Sequence, residues 1–297
     1  MSDAAMLAQM TGKGGFIAAL DQSGGSTPRA LRAYGIADGA YGSDAEMFRL
    51  IHEMRVRIMT APSFTGDKVI AAILFEDTMD GQAWGEPVPS FLWKRGVVPF
   101  LKVDKGLEAE ADGVSLMKPM PGLETLLPRA VKLGVFGTKM RSVINLPSRK
   151  GIAAAVAQQM DAAMRIASHA LMPIIELEVS IKSPDKAGAE AILLEELTEK
   201  LDALPDGARM MLKLTIPDVP DLYSPLIGDK HVARVVALSG GYDRHDACRR
   251  LATNHSIIAS FSRALTEGLT KSMSDAAFDE TLARAIDEIY QASTVKH

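Results

Sequence analysis

Eight short apolar runs of β-prone residues alternate along the chain with longer segments of helical character. Short runs of this kind predict strands, and their alternation with helices is typical of an α/β protein with a parallel sheet. The runs span residues 15–21, 69–75, 97–103, 136–144, 172–179, 209–215, 232–238 and 256–261. The helical segments span residues 43–61, 122–133, 149–170, 184–204, 243–253 and 266–290.

Two helix starts are marked by capping residues. Ser43 is followed three residues later by Glu46, which is the spacing of a capping box. Ser148 precedes an alanine-rich run of high helix propensity.

About eight strand–helix units in one chain of 297 residues predict a closed (β/α)₈ barrel, the TIM barrel. We therefore expect one domain over residues 1–297, with a C-terminal helix at about 266–290. The competing architecture is an open, doubly wound sheet, which usually has a Gly-rich phosphate turn after its first strand. The segment DQSGGS at 21–26 is rich in glycine but lacks the G-x-G-x-x-G order, so the barrel is the better interpretation.

Composition and charge exclude several classes of protein. The formal charge of -4 argues against general nucleic-acid binding, which requires a basic face. No uninterrupted apolar stretch approaches the roughly 18–20 residues of a membrane span, and the first 15 residues show no secretion signal. The single cysteine, Cys248, excludes an internal disulfide and is compatible with the cytoplasm, where we expect the protein. A homo-oligomer is compatible with the sequence, which leaves the assembly state open.

Lys213 lies inside an apolar run with no carboxylate beside it in sequence. In a strand it shares one face with Met211 and Thr215, whereas Leu212 and Leu214 point to the other face. A lone lysine of this kind is more often exposed on an edge strand, because lysine is rarely fully buried without a partner. If it is buried, however, desolvation disfavours its charged form and makes it an amine nucleophile, which indicates Schiff-base chemistry on a carbonyl substrate.

Other predicted strands also carry ionisable residues near their carboxyl ends. A single strand in which ionisable and apolar residues alternate is typical of an antiparallel sheet with one solvent-exposed face. In a parallel barrel, helices cover the outer face, so the charged face must point inward, where catalytic groups lie at the C-terminal strand ends. Cations and carboxylates are both present and can pair there. These residues are Asp21 on the first strand, Lys102 and Asp104 on the third, Lys139 and Arg141 on the fourth, and Glu176 and Glu178 on the fifth.

The last two strands run into a candidate phosphate site. Ser239, Gly240 and Gly241 follow the seventh strand, and Arg263 follows the eighth. In this fold the loops after these strands often bind phosphate, since glycines expose backbone N–H groups and arginine adds bidentate hydrogen bonds. The six histidines are scattered without metal-ligand spacing, so we expect no metal. Schiff-base chemistry on a lysine requires no organic cofactor, so we expect none.

Taken together, these residues resemble the class I, Schiff-base fructose-1,6-bisphosphate aldolases of the shorter bacterial kind. The resemblance extends from residue 15 to residue 265, and no single motif carries it. Its specificity comes from the order of the segments, which are ALDQSGGS (19–26), LKVDKG (101–106), TKMR (138–141), PIIELE (173–178), LK (212–213), LSGG (238–241) and SRAL (262–265).

The resemblance implies reversible cleavage of fructose 1,6-bisphosphate to dihydroxyacetone phosphate and glyceraldehyde 3-phosphate, a reaction of glycolysis and gluconeogenesis. It also implies a role for each matching position. Lys213 is the Schiff-base lysine, Glu176 the acid and base, Glu178 its neighbouring carboxylate, Lys139 a lysine that assists carbinolamine formation and dehydration, and Asp21 the group that handles the C4 hydroxyl. Lys102 and Arg141 are cationic contacts in the cleft; Ser239, Gly240, Gly241 and Arg263 hold the C1-side phosphate; and Ser23 and Ser26 contact the C6-side phosphate.

One feature of the longer animal-type relatives is missing. Their last residue is a tyrosine that helps to protonate the enamine, whereas this chain ends in His297, and Tyr290 lies in a predicted helix. Two alternatives stay open: a Schiff-base aldolase for another ketose phosphate, or a non-catalytic barrel that binds sugar phosphates. Retention of Lys213, Glu176, Lys139 and Asp21 together argues against the second.

Overall fold

The computed structural model describes residues 2–297, with side chains from residue 4 onward. Within this range the strands are β1 (Phe16–Leu20), β2 (Val69–Leu74), β3 (Gln82–Ala83), β4 (Glu86–Pro87), β5 (Val98–Lys102), β6 (Val114–Ser115), β7 (Gly137–Ile144), β8 (Met172–Val179), β9 (Met210–Thr215), β10 (Val232–Leu238) and β11 (Ile258–Phe261). The α-helices are α1 (Ser2–Gly12), α2 (Ser26–Ala33), α3 (Asp44–Thr60), α4 (Glu76–Met79), α5 (Val88–Lys94), α6 (Leu123–Lys132), α7 (Arg149–Ala167), α8 (Lys186–Asp202), α9 (Ser224–Ile227), α10 (Arg244–Ala252), α11 (Arg263–Thr266) and α12 (Asp275–Thr294). A 3₁₀-helix covers Asp38–Ala40.

Eight of the strands form a closed parallel barrel, which confirms the predicted fold. Their order is β5-β2-β1-β11-β10-β9-β8-β7, and β5 also pairs with β7, which closes the sheet. The remaining strands are short: β6 pairs antiparallel with β7, and β3 and β4 form a separate antiparallel hairpin. The eight barrel strands correspond to the eight apolar runs of the sequence.

The barrel interior contains a layer of buried apolar side chains on the amino-terminal side of its ionisable residues. Ile17, Phe100, Ile174 and Met211 are fully buried in one cluster, which also includes Met10 from α1. Helix α1, which the strand–helix alternation did not predict, therefore packs against the amino-terminal side of this layer. The ionisable side chains inside the barrel lie on the other side of this layer, toward the carboxyl ends of the strands.

The helix ends follow local capping chemistry, with two departures from the predictions. The Ser43 side chain accepts a hydrogen bond from the Glu46 backbone, but the Glu46 carboxylate accepts from the Gly42 N–H rather than completing the box. The C-terminal helix spans Asp275–Thr294 rather than about 266–290. Helical structure is interrupted at Gly268, whose φ of +85° lies in the left-handed region that favours glycine. The helix then begins after Ser274, whose side chain caps the Ala277 N–H.

Candidate active site

Five ionisable side chains are buried together at the carboxyl end of the barrel. Asp21 directly follows β1, Lys102 ends β5, Lys139 lies on β7, Glu176 on β8 and Lys213 on β9. Lys213 is only 3% exposed and Glu176 only 4%. Their neighbours in sequence point outward into the helix-covered core, because successive side chains of a strand alternate between its faces. The edge-strand interpretation of Lys213 is therefore wrong.

Glu176 joins two of the lysines. Its Oε1 lies 3.0 Å from Lys213 Nζ, and its Oε2 lies 2.8 Å from Lys139 Nζ. Lys139 Nζ also lies 2.6 Å from Asp21 Oδ2. These distances define a continuous chain of charges from Lys213 through Glu176 and Lys139 to Asp21. The register of β8 and β9 sets up the first contact, since it places Glu176 directly beside Lys213.

The ion pairs outweigh burial in fixing the protonation states. Burial raises the pKa of Glu176, but the charges of Lys139, Lys213 and Arg141 overcome this effect and lower it to about 2. Burial likewise opposes ionisation of Asp21, yet Lys139 and Lys213 lower its pKa below the ordinary value. For Lys139, burial lowers the pKa, but Asp21 and Glu176 raise it. At neutral pH, Glu176 is thus an ionised carboxylate that lies within hydrogen-bond distance of Lys213 Nζ.

Two further ion pairs flank this chain of charges. Lys102 Nζ contacts the Asp104 carboxylate and donates to the Asp104 carbonyl at 3.0 Å. Arg141 Nε lies 2.6 Å from Glu178 Oε2. Asp104 is 5% exposed and was absent from the predicted site residues. Its spacing of two from Lys102 predicts that both side chains face the barrel interior, but the family resemblance implies no role for Asp104.

Gln159 holds the Glu176 backbone in place from outside the barrel. Its Nε2 donates to the Glu176 carbonyl at 2.8 Å, and its Oε1 accepts from the Glu176 N–H at 3.0 Å. The same Nε2 contacts Ser142 Oγ at 2.9 Å. This fully buried glutamine lies on α7, and nothing in the sequence distinguishes it from other helical glutamines.

The predicted phosphate residues after β10 and β11 lie side by side. Gly240 and Gly241 have φ values of +62° and +121°, which are strained for any other residue. A Cβ on Gly241 would lie 3.2 Å from Arg263 Nη2, so the guanidinium group packs against this glycine. Ser239 is 6% exposed at the end of the strand. The structure therefore brings the four residues to one corner of the barrel mouth.

The predicted contacts for the second phosphate lie on an exposed turn after β1. Ser26 Oγ accepts from the Ser23 N–H and donates to the Ser23 carbonyl, both at 2.8 Å. The Gln22 amide donates to Ser262 Oγ at 2.9 Å and ties this turn to the loop that carries Arg263. Both predicted phosphate segments thus border the same opening.

Tyr290 lies away from the charged side chains. Its ring is 5.8 Å from Lys68 Nζ, and Lys68 precedes β2 at the amino end of the barrel. The structure therefore gives Tyr290 no contact with the Lys213 side of the barrel.

Burial raises the pKa of the Cys248 thiol to about 12, so this thiol is protonated and is not a nucleophile. Within residues 2–297, no group of three or more His, Cys, Asp or Glu side chains is placed to hold a metal ion. None of the helices in that range combines the length and apolarity that a membrane crossing requires.

Replacing Lys139 with methionine is expected to destabilise the fold by about 3–5 kcal/mol, because Asp21 and Glu176 would be left as buried carboxylates without their shared cation. The pKa values of Asp21 and Glu176 should then rise in the folded protein. The loss of stability should therefore become smaller as the pH is lowered and these carboxylates take up protons. Urea unfolding at pH 5 and pH 8 measures this difference. The double variant Lys139→Met with Asp21→Asn should recover part of the loss, and a single variant as stable as the wild type would contradict the pairing.

Comparisons with known proteins agree on one family. A protein-family model with the description "Fructose-bisphosphate aldolase class-I" matches residues 2–199 of this chain. The class 1 fructose-bisphosphate aldolase of a Synechocystis strain is 54% identical over 288 residues, which cover 97% of this chain and 96% of that protein. The Porphyromonas gingivalis enzyme of the same name is also 54% identical over 288 residues, covering 97% and 98% of the two chains. A solved structure of fructose-bisphosphate aldolase from Plasmodium falciparum shares the fold, with a TM-score of 0.74, 20% identity, and coverage of 99% of this chain and 95% of that one.

Proposed function

Because the chain belongs to the class I fructose-bisphosphate aldolase family, we propose that it reversibly cleaves fructose 1,6-bisphosphate through an imine on Lys213. The products are dihydroxyacetone phosphate and glyceraldehyde 3-phosphate. The observation that carries the assignment of Lys213 is its burial at the carboxyl end of the barrel, with Nζ 3.0 Å from a Glu176 carboxylate oxygen.

Imine formation uses the contact between Lys213 and Glu176. Glu176 accepts a proton from Lys213, and the neutral amine attacks the ketose carbonyl at C2. The carbinolamine then loses its hydroxyl group as water, for which Glu176 returns the proton. Lys139 stays charged beside Glu176 at 2.8 Å and stabilises the carboxylate whenever it is ionised. The result is a protonated imine, in which the nitrogen of Lys213 replaces the C2 oxygen.

Cleavage of the C3–C4 bond uses the other end of the chain of charges. The protonated imine withdraws the electron pair of this bond, and Asp21 accepts the proton of the C4 hydroxyl as the aldehyde forms. Lys139 lies 2.6 Å from Asp21 and orients this carboxylate. The enamine that remains on Lys213 is protonated at C3, and hydrolysis of the imine releases dihydroxyacetone phosphate and restores the amine.

Two phosphate positions flank this chemistry in our proposal. Ser239, Gly240, Gly241 and Arg263 hold the phosphate on the C1 side through backbone N–H groups and a guanidinium. Ser23 and Ser26 contact the phosphate on the C6 side, and Lys102 and Arg141 supply cationic contacts between the two. Glu178 orients Arg141 through their 2.6 Å contact. These local cations are needed because the chain as a whole carries a formal charge of -4.

The test of this proposal is chemical trapping of the imine. The protein is incubated with dihydroxyacetone phosphate and sodium borohydride, and its intact mass and peptide masses are measured. We expect a single reduced adduct on Lys213 and none on the buried Lys102 or Lys139. A folded protein that binds the ligand but gives no adduct would instead be a sugar-phosphate binder without imine chemistry.

Asp21→Asn should separate the two halves of the reaction. We expect the cleavage rate to fall by about 10²–10³-fold, since general-base catalysis contributes about this much and an amide cannot accept the proton. Trapping of dihydroxyacetone phosphate should proceed near the wild-type rate, because Lys213 and Glu176 keep their contact. Stopped-flow cleavage assays and timed borohydride quenching measure the two rates. An equal fall in both would assign Asp21 to imine formation instead.

Three broader assignments accompany the reaction. We propose that residues 1–297 act as one catalytic domain, which is supported by the packing of α1 against β2 and β10 and of α12 against β1 and β11. We also propose a cytoplasmic role in glycolysis and gluconeogenesis, supported by the glycolytic description of the matching family. Assembly into a homo-oligomer is compatible with this activity, and sedimentation of the purified chain measures it.

A further inference from the structure

We propose that Arg55 is a positioning residue. Through its hydrogen bonds to Gln22, it fixes the position of Asp21 and of the proposed phosphate-binding loops after β1 and β11. This inference rests on the proposed function and adds to it a group on α3, outside the barrel. Arg55 is fully buried, with a relative exposure of 0%, and its guanidinium donates to Gln22 and Thr78 rather than to a carboxylate. A buried cation without a paired carboxylate is costly, so the position of Arg55 calls for a physical explanation.

The guanidinium group of Arg55 binds the residue after Asp21. Its Nη2 donates to the Gln22 backbone carbonyl, and its Nε lies 3.4 Å from Gln22 Oε1. Its Nη1 donates to Thr78 Oγ1 at 2.8 Å, and its Cζ lies 5.8 Å from the centroid of the Phe75 ring. Arg55 thus packs behind the carboxyl ends of both β1 and β2. Burial lowers its pKa to about 10, partly offset by the charge of Asp21, so it remains a cation at neutral pH.

Gln22 passes this restraint to both sides of the barrel mouth. Its carbonyl, which Arg55 binds, follows Asp21 directly in the chain, so the bond restricts rotation of the backbone that carries the catalytic carboxylate. Its side-chain amide donates to Ser262 Oγ at 2.9 Å, next to Arg263. A single arginine therefore fixes the turn after β1 and, through Gln22, the loop after β11.

The consequence should differ between the two half-reactions. Asp21 must lie within hydrogen-bond reach of the C4 hydroxyl, and a displacement of about 1 Å can reduce a rate by about 10²-fold. Lys213 and Glu176 stand on β9 and β8, and neither contacts Arg55. Loss of the Arg55 guanidinium should consequently slow carbon–carbon cleavage but leave the rate of imine formation unchanged when dihydroxyacetone phosphate is saturating.

The experiment compares Arg55→Met with Arg57→Met in the full chain. Arg57 lies on the same helix and binds the Met273 carbonyl at 2.6 Å and Asp275 at 3.0 Å, away from the barrel mouth. It therefore reports what loss of an anchoring arginine does to stability alone. For Arg55→Met we expect cleavage of fructose 1,6-bisphosphate to fall by about 10–100-fold, with the trapping rate at saturating dihydroxyacetone phosphate staying near that of the wild type. For Arg57→Met we expect a lower melting temperature and wild-type rates for both steps below it.

A second variant covers the case in which Arg55→Met does not fold. Gln22→Leu keeps the backbone carbonyl but removes the amide that reaches Ser262, so it should raise the KM for fructose 1,6-bisphosphate and lower kcat. Dihydroxyacetone phosphate, which carries the C1-side phosphate, should bind more weakly, whereas its trapping rate at saturation should stay unchanged because Lys213 and Glu176 keep their contact. The inference is overturned if the folded Arg55 and Gln22 variants cleave at the wild-type rate, or if trapping falls in parallel with cleavage. Absence of an adduct in the wild-type protein would overturn the proposed function itself, which is a separate outcome.

Discussion

Replacing Lys213 with methionine is expected to lower the rate of fructose 1,6-bisphosphate cleavage by at least about 10⁴-fold, as the loss of a covalent nucleophile does. Without the amine, no imine forms at C2, and the C3–C4 electron pair has no electron sink. Lys139 cannot substitute, because it is held between two carboxylates, 2.6 Å from Asp21 and 2.8 Å from Glu176. Lys102 is held by both the carboxylate and the carbonyl of Asp104, whereas Lys213 contacts one carboxylate, that of Glu176. Methionine fills a similar volume in the buried position, so the fold should persist.

The measurement combines steady-state cleavage with borohydride trapping and peptide mapping. Lys230→Met is the matched control, because Lys230 is an exposed lysine that pairs with Asp206 on the surface. We expect this control to cleave and to form the adduct like the wild type. Residual cleavage above about 1% of the wild-type rate in Lys213→Met, or an adduct on another lysine, would contradict the assignment of the nucleophile.

Replacing Glu176 with glutamine is expected to reduce both cleavage and imine trapping, toward the upper end of the about 10²–10⁴-fold range of general acid–base catalysis. Glutamine has nearly the same shape but cannot take the proton from Lys213 or return it to the leaving hydroxyl. It also leaves Lys139 and Lys213 without the ionised group that lies 2.8 and 3.0 Å from them. The effect therefore extends to every step that needs this proton.

Glu178→Gln is the control for this prediction. Glu178 lies two residues further along β8 and pairs with Arg141, with its side chain 16% exposed. We expect a smaller loss of activity, expressed mainly as a higher KM, because Glu178 orients a substrate contact. Rates of trapping by timed quenching and of cleavage by stopped flow distinguish the two variants. If Glu176→Gln trapped dihydroxyacetone phosphate at the wild-type rate, another group would have to be the proton acceptor.

Much of the site could be predicted from the sequence because two local rules combine. Side chains alternate along a strand, so Glu176 and Glu178 share one face whatever the rest of the fold does. Parallel strands of a barrel end at one edge, so ionisable residues at several strand ends must meet. These rules placed Lys139 and Lys213 inside the barrel from their positions in the chain alone. The apolar runs gave strand bounds close to those observed, and for β8 and β10 the same bounds.

The pairing of those charges was decided only by the tertiary structure. Strand order and register set which carboxylate meets which lysine, so Lys139 lies between Asp21 and Glu176 although the three are far apart in sequence. Gln159 and Arg55 support the site from helices, where nothing local distinguishes them from other polar residues. By itself the sequence thus determined the eight barrel strands, the inward-facing side chains and the family resemblance, since these depend on neighbours along the chain. Closure of the barrel decided the contacts, because hydrogen bonds and ion pairs form between atoms that only the folded chain brings within reach.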